Sequence, residues 1–148
     1  VVLTQIVGEF SEKAEANQLE MVVECPQSPV EIYVDGRHLW RIIDNLMGNI
    51  CKYAQPGTRV YVTLETFHGM VIMTFRNISK DRLKMTSEEL FGRFVRGDSS
   101  RNTEGHGLGL SIAKSLTELM HGNLAVQMDG DLFKVILSFE EYQEDKKQ

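Results

Sequence analysis

The nine residues Asn45-Leu46-Met47-Gly48-Asn49-Ile50-Cys51-Lys52-Tyr53 interrupt an otherwise apolar amphipathic pattern, and their reading decides the fold. Upstream, Asp35 stands where a helix cap belongs. Leu39, Ile42, Ile43, Leu46 and Ile50 recur at the spacing of one buried helix face. Gln55-Pro56-Gly57 stops the pattern. Two asparagines and a glycine are poor helix residues, because Asn pulls the backbone into caps and turns and Gly adds entropy to the unfolded chain. A helix that only covers a core needs none of them. Positions i, i+4 and i+7 share a face, so Asn45, Asn49 and Lys52 point the same way. An amide oxygen suits a hard cation such as Mg²⁺, and a lysine ammonium suits phosphate.

A second feature completes this one. Gly105-His106-Gly107-Leu108-Gly109-Leu110 opens a predicted helix whose apolar stripe is Ile112, Ala113, Leu116, Leu119 and Met120, stopped by His121-Gly122. Free N–H groups at a helix start bind anions, and glycines let a phosphate approach. No Gly-Lys-Ser/Thr follows, so this is not a Walker loop. No strand precedes it, and Leu110 stands where a dinucleotide fingerprint has its third glycine.

Around these two helices the chain is mixed α and β. Residues 3–16 carry a weak helical stripe of Leu3, Ile6, Val7 and Phe10. Short strands are expected at 19–25 and 31–34, separated by a Pro26–Pro29 turn. Residues 59–67 alternate, with Val60, Val62 and Leu64 on one face and Tyr61, Thr63 and Glu65 on the other. His68-Gly69 turns the chain into a strand over 70–76. A closing hairpin is expected over 124–128 and 132–139, turning at Asp129-Gly130-Asp131. Between Ile78 and His106 lies a long segment with little core signal. It holds one short helical run over 87–94 and the arginines Arg93, Arg96 and Arg101, which favour a lid over phosphates, ordered by nucleotide.

The composition fits one domain with a substantial core: 148 residues, 42% hydrophobic and 25% charged. A net charge of −5 argues against an electrostatic grip on nucleic acid or anionic membrane. The four histidines have no metal-ligand spacing, and Cys25 and Cys51 read as reduced core residues. No run is apolar for long enough to span a bilayer, and no signal peptide is visible. Val1 in place of Met marks the chain as an expected piece of a longer protein, with residues 1–140 as the domain and 141–148 as a charged tail.

Taken together, the stretch from Asn45 to Tyr53 resembles the N box of bacterial sensor histidine kinases. The run Glu89-Leu90-Phe91-Gly92-Arg93-Phe94-Val95-Arg96-Gly97-Asp98 resembles their F box and lid. Gly105 to Leu110, continued by Ser111-Ile112-Ala113-Lys114, is similar to their second glycine box. Order and spacing agree over nearly the whole chain. The resemblance implies the catalytic, ATP-binding domain of such a kinase, in the superfamily of gyrase, chaperone, histidine-kinase and MutL ATPases. It implies an α/β fold of Bergerat type, a two-layer sandwich in which helices cover one face of a mixed sheet.

The roles carry over by position. Asn49 matches the Mg²⁺ ligand and Asn45 the residue lining the phosphate side. Lys52 matches a phosphate contact, Tyr53 a residue flanking the nucleotide, and Phe94 the F-box aromatic. Gly105, Gly107 and Gly109 match the glycines that wrap the phosphates, with backbone donors at Leu108 and Leu110. Arg96 and Arg101 fall in the lid. The implied activity is phosphoryl transfer from MgATP to a histidine on a separate dimerisation domain upstream, and through that domain to a response regulator. His38, His68, His106 and His121 do not lie in an acceptor-like helix. The resemblance further implies the cytoplasmic part of a membrane-anchored sensor, monomeric when isolated.

Two departures stand out. The family's first glycine box is Asp-x-Gly-x-Gly, whose aspartate accepts a hydrogen bond from the adenine amine. The matching stretch here is Arg76-Asn77-Ile78-Ser79-Lys80, so Asn77 replaces the aspartate and Ser79 the first glycine. An Asn oxygen still accepts, without charge assistance. His106 stands where the family has a small Thr or Ser. An absence also matters: the hydrolytic relatives carry a general-base glutamate one turn before the Mg²⁺ asparagine, and here that position is Asn45, which cannot take a proton. A histidine acceptor needs less help, because neutral imidazole is itself a nucleophile near pH 7. The altered first glycine box sustains an alternative, a module that senses nucleotide by binding and transfers nothing.

Overall fold

The computed structural model describes residues 3–28, 30–80 and 107–141. The element order is α1 (Leu3–Gly8), α2 (Ser11–Ala16), β1 (Glu20–Glu24), α3 (Gly36–Tyr53), β2 (Arg59–Phe67), β3 (Met70–Ile78), α4 (Gly107–Leu119), β4 (Asn123–Asp129) and β5 (Leu132–Glu140). The five strands form one sheet in the order β1-β2-β3-β5-β4. β1 runs parallel to β2, with α3 as the crossover that such a pair needs. The other pairs are antiparallel, so the sheet is mixed.

Alternation along the strands sends one face of the sheet inward. Val60, Val62 and Leu64 of β2 are buried, as are Val71, Met73 and Phe75 of β3 and Phe133, Val135, Leu137 and Phe139 of β5. Against them α3 buries Leu39, Ile42, Ile43, Leu46, Met47 and Ile50. Its start is fixed by Asp35, whose carboxylate accepts from the Arg37 backbone N–H at 2.8 Å. The Arg37 guanidinium beside that carboxylate holds its pKa below the ordinary value. Both hairpins turn where expected. His68 and Gly69 have φ of 51° and 79°, the double left-handed geometry that a two-residue turn between right-twisted strands requires.

Several sequence expectations are corrected. The first helix is two: Glu9 and Phe10 donate to Ile6 and Val7 in tight i→i−3 turns, and Phe10 swings inward to within 5.4 Å of the Trp40 ring. The strand expected at 31–34 comes down to isolated bridge residues at Glu31 and Ile32, with Ile32 pairing antiparallel to Glu141. Cys25 is exposed, since it falls just past the end of β1. On α4 the buried face is Leu110, Ala113 and Thr117, while Leu119 is 64% exposed. The Thr117 hydroxyl is satisfied by the Ala113 carbonyl at 2.7 Å, which lets a polar residue occupy a core position and rotates the buried stripe from the expected one. The short helix expected over 87–94 and the tail from 142 onward lie outside the described residues. No helix among the described residues is long and apolar enough to cross a membrane.

Candidate functional site

Three elements converge on one end of the helical layer. The end of α3 is tied to the end of β3 by backbone bonds: a bridge between Ala54 and Ser79, Gln55 N donating to the Ile78 carbonyl at 2.8 Å, and Lys80 N donating to the Tyr53 carbonyl at 3.0 Å. Ser79 N donates to the Asp131 carbonyl at 2.8 Å, anchoring the same point to the β4–β5 turn. These bonds hold the two halves of the sequence-derived site together. Asn49, Lys52 and Tyr53 come from one strut, and Asn77 and Ser79 from the other.

The first turns of α4 close the third side. A Cβ placed on Gly109 would lie 3.7 Å from the Asn45 carbonyl oxygen and 3.9 Å from its Cβ. The glycine turn therefore crosses the asparagine stripe, with no side chain between Gly109 and Asn45. At that distance a Cβ would make ordinary van der Waals contact, so the first turn of the helix lies against α3 at Asn45, and Leu110 beside it is fully buried.

The polar chemistry here is unusual for a core. Asn49 and Asn77 are 6% and 2% exposed, yet the side-chain oxygen of each is buried without a hydrogen-bond partner among the described residues. So are Asn45 Nδ2 and Ser111 Oγ. Buried polar atoms are almost always paired, and leaving one unpaired costs on the order of 1–3 kcal/mol. Asn77 occupies an inward position of β3, opposite Phe133, where an apolar residue would suffice. Unpaired acceptors kept against that cost on α3 and β3 fit a site completed by something outside the chain. An amide oxygen on Asn49 is the donor type a hard cation takes, and one on Asn77 can accept from an exocyclic amine.

Lys52 is exposed on the last turn of α3, with Nζ 5.6 Å from the Tyr53 ring centroid, and Tyr53 is half-buried. The back of α3 is braced elsewhere, by Lys13 and Asp44 at 3.2 Å. Burial pushes the Cys51 thiol up, and its sulfur faces the Lys13 carbonyl at 3.8 Å on that same back side of α3. Ser111 was absent from the sequence-derived site. Serine inside a helix ordinarily turns to its own backbone, and nothing in the sequence marks this one as doing otherwise. Gly107 and Leu108 belong to the first turn of α4. Phe94, Arg96, Arg101, Gly105 and His106 lie outside the described residues.

Comparison with known proteins gives the family and the fold. A family model described as histidine kinase-, DNA gyrase B-, and HSP90-like ATPase matches residues 34–143. The chain is 31% identical over 140 residues to the sensor histidine kinase RppB of Synechocystis, covering 91% of this chain and 31% of that protein. It is 39% identical over 106 residues to the sensor histidine kinase HprS of Escherichia coli K12, covering 70% and 22%. The chain thus spans about a third or less of the length of these curated relatives. Among solved structures, the catalytic domain of histidine kinase ThkA superposes with a TM-score of 0.78 at 17% identity, covering 97% of both chains. The mycobacterial sensor histidine kinase MprB gives 0.77 at 22%, again covering 97% of both.

Proposed function

The chain belongs to the histidine kinase-, DNA gyrase B- and HSP90-like ATPase family, and from that premise and the donor set of its site we propose that it binds MgATP and presents the γ-phosphate to a histidine on another domain. The observation that carries the proposal is the pair of buried, unpaired amide oxygens on Asn49 and Asn77. In this reading Asn49 Oδ1 would hold Mg²⁺, a hard cation that takes an amide oxygen. Asn77 Oδ1 accepts from the adenine amine. The N–H groups at the start of α4 receive phosphate oxygens, aided by the positive end of the helix dipole. Lys52 adds a cation at the rim.

The chain's own residues supply position and charge, and Asn45, at the position one turn before Asn49, cannot take a proton from water, while Asp44 is engaged by Lys13 on the back of α3. That favours transfer to a nucleophile that needs no deprotonation, a neutral imidazole, over hydrolysis. Mg²⁺, when bound, neutralises the phosphate charge that develops during transfer. The partners that follow are a dimerisation domain carrying the acceptor histidine and, through it, a response regulator.

Titration calorimetry of the chain with ATP, with and without Mg²⁺, tests the binding step. The parent should bind with a Mg²⁺-dependent affinity, and radiolabel from γ-labelled ATP should stay off the chain alone. Absence of ATP binding would refute the proposal. Binding that proves intact while a joined dimerisation domain takes up no label would favour a nucleotide-sensing module instead.

A further inference from the structure

The opposite face of the sheet, away from the helices, carries a second set of unsatisfied groups. The registers Tyr61↔Arg76, Arg76↔Lys134 and Gln127↔Lys134 place these four residues in one row across β2, β3, β5 and β4. Two cations thus stand directly opposite each other on neighbouring strands, an arrangement that is destabilising by itself. No acid among the described residues lies within ion-pair distance of either. Arg59, one alternation away on β2, is already occupied by Glu20 at 3.3 Å. Arg76 sits with its guanidinium 5.2 Å from the Tyr61 ring centroid, and its Nε is buried with no acceptor among the described residues. A buried guanidinium N–H without an acceptor, facing a second cation, is a place built for an anion.

The surroundings say which anion. Two open hollows flank Arg76. One, of about 690 Å³, includes Tyr61, Ile78, Glu15 and Glu20 in its lining. The other, of about 420 Å³, is bounded in part by Lys134, Leu132 and Asp129. Glu15 in the first hollow, where Glu20 is already paired with Arg59, and Asp129 in the second stand at the two ends of the row, and on a chain of net charge −5 they oppose a continuous polyanion such as nucleic acid or an anionic bilayer. They leave room for one carboxylate with uncharged or basic neighbours.

We propose that the outer sheet face at Arg76 and Lys134 is a docking site for a single Asp or Glu side chain in an extended segment of a partner protein. The carboxylate pairs with the planar Arg76 fork, Lys134 adds a point charge, and the flanking residues of the segment lie in the two hollows. The site is independent of the nucleotide pocket, since Asn77 and Arg76 point to opposite faces of β3.

The test uses the full chain and three synthetic peptides: an amidated Lys-Thr-Glu-Thr-Lys, the same peptide with Gln for Glu, and Glu-Thr-Glu-Thr-Glu. The Arg Nε–H resonances of ¹⁵N-labelled protein report binding. The single-glutamate peptide should move the Arg76 signal saturably, and the glutamine peptide should bind on the order of tenfold more weakly. Lys134→Gln should weaken the glutamate peptide by a similar factor while leaving MgATP binding unchanged, and Arg76→Gln should abolish its binding. An unmoved Arg76 signal overturns the proposal. So does equal binding of the glutamine peptide, or full binding to Lys134→Gln. Tighter binding of the triple-acid peptide, of an oligonucleotide or of anionic vesicles would assign the face to polyanions and overturn it as well.

Discussion

Replacing Asn49 by Ala should make the free domain more stable and at the same time blind to Mg²⁺. Asn49 is 6% exposed, in the middle of α3, with its side-chain oxygen unpaired. Three terms change. Removing an orphaned buried acceptor returns on the order of 1 kcal/mol, the low end of its desolvation cost. Ala is a better helix residue than Asn by about 0.5 kcal/mol. Against these stands a small void where the carboxamide was, costing about 0.5–1 kcal/mol by analogy with other small truncations. The balance is a gain of roughly 0.5–1 kcal/mol, which for a chain of this size raises the melting temperature by about 1–4 °C. With ligand the order reverses. At a concentration a hundred times its Kd, MgATP stabilises the parent by about 2.7 kcal/mol, and the variant forgoes the part that depends on the metal. Thermal unfolding followed by calorimetry, in EDTA, in ATP with EDTA and in MgATP, separates the effects. The two melting curves should cross between the first condition and the last. A variant that melts below the parent in EDTA would show that the Asn49 oxygen is satisfied inside the protein. A variant that keeps the full Mg²⁺ increment would remove Asn49 from the metal.

Asn77→Asp should tighten ATP binding several-fold, since a charge-assisted hydrogen bond exceeds a neutral one by about 1 kcal/mol, and should increase discrimination against GTP, as competition binding can measure; weaker ATP binding would place Asn77 elsewhere than at the base. Gly48→Ala should stabilise the domain by up to about 1 kcal/mol in urea unfolding, because the new methyl meets only Lys13 Nζ at 3.8 Å. Gly122→Ala should cost about 1–3 kcal/mol in the same assay, because its Cβ would fall 2.5 Å from Phe139 Cε1 and 2.8 Å from the Ser138 carbonyl. The cap at Asp35 should titrate: its pKa is lowered in the folded chain, so its contribution is complete above the ordinary carboxylate value and is lost as pH falls through the depressed one. Asp35→Asn should flatten that part of the stability–pH curve, and an unchanged curve would show that the charge of Asp35 contributes nothing to the cap.

The sequence by itself determined the α3 helix and both hairpins, and it singled out the asparagines that lie on α3 and β3. Each of these rests on a local rule: an apolar stripe at helical spacing, strict alternation along a strand, glycine at left-handed turn positions, asparagine where a core helix has no use for it. Those rules act over a few residues, so one chain suffices to read them. Other features depended on which distant segment each residue meets. Residues 3–16 broke into two helices because Phe10 found Trp40. Leu119 was left exposed because Thr117 could satisfy its hydroxyl on its own helix and take the core position. The strand expected at 31–34 came down to bridge residues at Glu31 and Ile32, the latter paired with Glu141 from far along the chain. The row of Tyr61, Arg76 and Lys134 exists only through strand register, which joins residues far apart in the chain. Burial decides cost, and burial is a property of the packed molecule. The sequence could propose Asn49 and Asn77 as polar residues in apolar company, but only the tertiary structure shows their oxygens enclosed and without a partner among the described residues.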